Sequence, residues 1–146
     1  MSYKGLLAVL DLADGDDAVV ERAVNLAKVH GAEVKLEHVL EPIASIPLDD
    51  HKELLSELEP HLIEAVERME PIRRKYPEYI NQENGVGAGY GLRRQLINAV
   101  AKDKNCDLIV VGDHGRHSQE LVSPAPDATT DDAPLDVLLV RTQKKA

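Results

Sequence analysis

Hydrophobic positions fall into two rhythms along this chain. Gly5 to Leu10 (GLLAVL) is a short run without a polar position, the pattern of a strand buried on both faces of a parallel sheet. Asp11 ends it, and DLADGDD follows as a polar turn whose acids suit a helix N-terminus. From Ala18 to His30 the spacing becomes helical, with Val19, Val20, Ala23, Val24 and Ala27 on one face. Gly31 stands where a helix C′ glycine belongs. Glu33 to Leu40 (EVKLEHVL) reads as a second strand, and EPIASIPLDD as a loop.

Asp50 with Glu53 resembles a capping box for a long helix whose apolar face runs Leu54, Leu55, Leu58, Leu62, Ala65, Val66, Met69 and Ile72. Pro60 and Pro71 interrupt it, and each predicts a kink or a break. Tyr79 to Asn84 is a weak third strand, and GVGAGYG after it reads as a glycine-rich turn. Leu92 to Lys102 is a helix with Leu92, Leu96, Ile97 and Val100 on one face, and Asp107 to Val111 (DLIVV) is the best strand signal in the chain. Asp136 to Arg141 is the last strand. Between these two strands HSQELV could open a helix, but PAPDATTDDAP cannot continue it and is expected to be a mobile loop. Alternating strands and helices predict one doubly wound α/β domain over residues 1–146, with a parallel sheet. Such sheets bind ligands beyond the carboxyl ends of their strands, where strand order reverses. Asp11 and Gly112 stand at two such ends.

Composition narrows the function classes. With no Phe or Trp, the core must be built from Val, Leu, Ile and Ala. The net charge of −9 and the lack of a basic stripe argue against nucleic acid and anionic membranes as partners. A single cysteine, Cys106, precludes an internal disulfide and fits a reducing compartment; it reads as an inert small residue before a buried strand. The apolar run near the N-terminus is too short for a signal peptide or a membrane span, so a cytoplasmic location is expected.

Three stretches resemble the universal stress protein family in order and spacing. The opening YKGLLAVLDLADGDDAVVERAVNLAKVHGAEVKLEHVLEP is similar to the family's strand, Asp, helix and strand ending in His-Val. NCDLIVVGDHGRH is similar to its D-L-I-V-x-G-x-H-G-R loop, and APLDVLLVR to its closing strand. The resemblance implies a Rossmann-like, adenine nucleotide alpha hydrolase-like fold with five parallel strands in the order 3-2-1-4-5. It also implies homodimers paired through the last strand, here Val137, Leu138, Leu139 and Val140, and an apolar edge strand invites such pairing on physical grounds. Some family members bind ATP through G-x2-G-x9-G-[ST], and others lack its second half. Gly112 and Gly115 match the first half, but the count then reaches Ala125-Pro126, so the second half is absent. Pro124 and Pro126 have no N–H for a phosphate, and Asp127, Asp131 and Asp132 add negative charge there.

The family's adenosine positions map onto Asp11, Val39, Val111, Gly112 and Gly115. Asp11 would accept from a ribose or base, or it is a turn acid capping the first helix. Val39 would pack on adenine, or it is plain core. GVGAGYG fails the dinucleotide fingerprint, because Tyr90 and Leu92 stand where the third glycine is needed. His114 and His117, with Asp113 beside them, converge too few ligands for a metal, and the lone Arg116 is weak evidence of a phosphate site. No nucleophile with its base is visible. The first reading is a stress-response regulatory module, a homodimer with unknown protein partners, weak or absent ATP binding and no robust catalysis. It needs no resident cofactor, and ATP or AMP is the ligand class the resemblance leaves open. The alternatives are an ATP- or AMP-binding member that slowly hydrolyses ATP, and a phosphoacceptor receiver domain. Against the receiver, Asp113 comes one residue late after its strand, and VLLVRT lacks the expected lysine–proline turn.

Overall fold

The structure, a computed structural model, describes residues 2–40, 51–113 and 135–142, with the backbone alone for 51–55. The loop EPIASIPLDD, Asp50 of the Asp50–Glu53 capping box, the segment from His114 through PAPDATTDDAP, and Gly115 within it lie outside the described residues, as do the side chains of Glu53, Leu54 and Leu55.

The strands are β1 (Gly5–Val9), β2 (Glu33–Leu40), β3 (Val86–Tyr90), β4 (Leu108–Gly112) and β5 (Asp136–Val140); the helices are α1 (Asp16–His30), α2 (His51–Arg74) and α3 (Arg93–Asp103). All neighbouring strands run parallel in the order β3-β2-β1-β4-β5, so the chain reverses its direction of strand addition between β1 and β4. The doubly wound sheet read from the alternation of patterns is therefore present, in the order implied by the family resemblance. No helix of the described residues is long and apolar enough to cross a membrane.

Both faces of the sheet are covered, which is why β1 and β4 are buried at every position. On one face Leu6, Ala8, Leu10, Leu36 and Val110 meet Val20 and Val24 of α1 and Met69 of α2. On the other, Leu7, Val9, Val39, Ile109 and Val111 meet Ile97 and Ala101 of α3. Gly31 closes α1 at φ 66°, a left-handed position that a Cβ makes unfavourable, and the Ala32 N–H then returns to the Ala27 carbonyl at 3.0 Å.

Three expectations are corrected. The third strand is not Tyr79–Asn84 but Val86–Tyr90, inside the glycine stretch read as a turn. The glycines are there for close approach. A Cβ on Gly87 would fall 2.7 Å from Glu37 Oε1, and one on Gly89 would fall 2.8 Å from Leu96 Cδ2, so side chains from β2 and α3 lie directly on this strand. Of the kink or break expected at the prolines, the break does not occur: the second helix is continuous from His51 to Arg74 with Pro60 and Pro71 inside it. The carbonyls they orphan belong to Ser56 and Glu67, both exposed, where water can take the missing donor's place. Leu92 also departs from its expected place: it precedes α3 as the N-cap and is 56% exposed.

Candidate functional site

Among the described residues near the carboxyl ends of the strands, the loop leaving β1 is tightly constrained. Leu12 there has φ 59°, a left-handed conformation that costs a branched side chain about 1–2 kcal/mol. The backbone is held in it from three sides. The Asp16 carboxylate accepts the N–H of Asp11 at 3.1 Å and that of Ala13 at 3.2 Å, and Arg68 Nη2 donates to the Leu12 carbonyl at 3.0 Å. Burial raises the Asp16 carboxyl above its ordinary range, while the backbone N–H groups of Asp11 and Ala13 pull it down. The acid that ties this turn to α1 is thus Asp16, and Gly15, the N-cap, makes no side-chain cap bond.

Asp11 is left to point elsewhere. Its Oδ1 lies 3.6 Å from Arg93 Nη2, with the Arg93 side chain only 12% exposed and that of Asp11 37%. Arg93 opens α3, whose first turn has no acid, an arrangement the helix dipole disfavours. Asp11 brings the negative charge from β1 instead. Beside it, His38 Nδ1 donates to the Leu10 carbonyl at 2.7 Å, since a carbonyl only accepts, and Leu10 N–H donates to the Glu37 carbonyl at 2.8 Å. The ends of β1 and β2 are thereby fixed against each other.

On the other side of β1, Gly112 ends β4. A Cβ there would stand 3.2 Å from Thr142 Cγ2, so this strand end approaches the chain after β5 closely. Asp113 N–H donates to the Val140 carbonyl at 2.8 Å, and its Oδ1 accepts the Thr142 N–H at 3.1 Å. That carboxylate fastens β5 to β4. Val39 and Val111 are both 4% exposed and share one core cluster with Val9 and Ile97. The structure thus brings Asp11, Val39, Val111 and Gly112 to the same end of the sheet. Asp16, Arg68, His38 and Arg93 were not anticipated; paired arginines opening a helix with no acid were the signal for the last.

A second polar group lies under α3, toward the other end of the sheet. Lys35 and Glu37, 6% and 3% exposed, face α3 from β2. Lys35 Nζ donates to Asn84 Oδ1 at 2.8 Å and lies 3.4 Å from Glu33, while Lys104 Nζ lies 4.0 Å from Glu37 Oε1. Burial pushes the Glu37 carboxyl up to about 7 against the pull of Lys104. Burial likewise raises the Cys106 thiol to about 11, so the reactive thiolate is scarce near neutral pH.

A family model described as the universal stress protein family matches residues 2–141. Universal stress protein A homolog 1 of Coxiella burnetii is 30% identical over 151 residues, covering 96% of this chain and 97% of that protein. Among solved structures, universal stress protein UspA from Lactobacillus plantarum superposes with a TM-score of 0.69 at 22% identity, over 97% of this chain and 99% of that one. The universal stress protein from Archaeoglobus fulgidus in complex with dAMP superposes with a TM-score of 0.53 at 18% identity, over 97% of this chain and 100% of that one.

Proposed function

The chain belongs to the universal stress protein family, and we propose that it serves in the stress response as a homodimeric regulatory module that senses an adenine mononucleotide without robust catalysis. The observation that carries this reading is the pairing of a kept half-site with a lost one. Asp11 and Gly112 stand at the carboxyl ends of β1 and β4, neighbours at the reversal of strand order. The sequence has Ala125-Pro126 where a glycine followed by Ser or Thr would hold a triphosphate, and it carries Asp127, Asp131 and Asp132 in that region. A nucleoside with one phosphate asks less of the missing half than ATP does. The dAMP complex of the Archaeoglobus fulgidus protein supports this choice of ligand class.

The strand β5 supports the dimer. It is an edge of the sheet, and it carries Val137, Leu138, Leu139 and Val140, of which Leu139 is 43% exposed. Self-association through this edge would cover it. Titration calorimetry with AMP and with Mg-ATP tests the ligand reading. AMP is expected to bind at least tenfold more tightly, with no phosphate released from ATP; ATP binding as tight as AMP, or sustained turnover, would return the protein to the ATP-hydrolysing reading. Sedimentation of Leu139→Glu tests the dimer, and an unchanged molecular mass would remove β5 from the interface.

A further inference from the structure

We infer that Arg93 sets the ligand preference of the Asp11 site, its guanidinium offsetting the Asp11 charge so that an anionic nucleotide is accepted beside a carboxylate. The inference rests on the proposed nucleotide site. Asp11 by itself is a poor neighbour for a phosphate: two like charges some 4–6 Å apart oppose each other by about 1 kcal/mol even in water. The chain's net charge of −9 adds to that repulsion. Arg93 is the cation seen beside Asp11, at 3.6 Å.

The Arg93 side chain is 88% withdrawn from water at the N-terminus of α3, and the pair it forms with Asp11 has a geometry that suits a ligand. A separation of 3.6 Å is a charge contact longer than a hydrogen bond, so Asp11 keeps lone pairs for hydroxyl donors, and its side chain is accessible to them. Arginine also suits phosphate, since its planar fork presents several N–H donors at once.

The test compares AMP with adenosine by titration calorimetry on the full chain, wild type and Arg93→Gln, with folding checked by circular dichroism. Removing the charge is expected to weaken AMP about tenfold and to leave adenosine within about twofold, with Arg93→Lys between. Equal weakening of both ligands would make Arg93 a support for Asp11, and tighter binding of both would make it a plug; either overturns the inference while the site reading stands. If wild type binds neither ligand, the site reading fails and the inference with it. Wild type alone gives a second readout: the advantage of AMP over adenosine should shrink between about 0.02 M and about 0.5 M salt, and no such advantage at low salt overturns the inference.

Discussion

Gly87 lies opposite Glu37 in the β2–β3 register, and a methyl group on it would stand 2.7 Å from the buried Glu37 Oε1 and 3.2 Å from Lys104 Nζ. The glycine is therefore the space in which a carboxylate and an ammonium meet under α3. Gly87→Ala is expected to push both aside and to destabilise the domain by about 1–3 kcal/mol, the usual cost of overpacking. Chemical denaturation checks this, and a midpoint equal to wild type would show that the two side chains move away freely.

Glu37 should also make stability depend on pH. Its folded carboxyl titrates at about 7, against an ordinary value of 4.5. A raised acid favours the folded state while it is protonated, so its contribution is full below pH 4.5 and is lost as pH rises through about 7. The difference corresponds to about 3 kcal/mol. Glu37→Gln keeps the neutral shape at every pH. It is expected to match wild type near pH 4.5 and to exceed it above pH 7, as measured by urea denaturation across the range. Parallel profiles would mean that Glu37 titrates normally.

Asp16 holds the strained turn that aims Asp11. Asp16→Ala removes the acceptor for the N–H groups of Asp11 and Ala13 and is expected to cost about 1–3 kcal/mol. It should weaken AMP and adenosine alike, unlike Arg93→Gln, because it loosens the turn rather than altering charge. Unaltered affinity for both ligands would detach the Leu12 turn from binding.

Pro60 lies inside α2 and is exposed. Pro60→Ala returns a backbone donor to the Ser56 carbonyl and is expected to stabilise the domain by about 1–3 kcal/mol. A lower melting temperature would show that the proline serves the helix through a bend that packing requires.

The elements that were legible in the sequence are those with a single burial demand. GLLAVL and LIVV carry no polar side chain because β1 and β4 are covered on both faces, and Val19 to Ala27 repeats at helical spacing because α1 shows one side to the sheet. The third strand was illegible because its packing is written in other segments. Gly87 and Gly89 carry no side chain to display a pattern, and the atoms that fill their place come from Glu37 and Leu96. Asp11 and Gly112 were found because strand ends are visible in sequence. Arg93 was not, since Asp11 lies 82 residues away from it and only the strand order 3-2-1-4-5 brings the two together. Lys35 and Glu37 alternate with Val34 and Leu36 as if facing water, and only the position of α3 reveals that they are buried.

The strand order also fixes a timetable. Leu6 pairs with Leu108, and the Gly5 N–H reaches the Asp107 carboxylate 102 residues later. At the usual pace of protein synthesis, about 5–20 residues per second, the nascent β1 waits about 5–20 s for that partner. In the interval β2 can occupy only one of its edges. The other edge, lined by Leu6, Leu7 and Ala8, meets the cell as an open apolar strand. The middle of this sheet, its best protected part once finished, is therefore its most vulnerable part while the chain is being made.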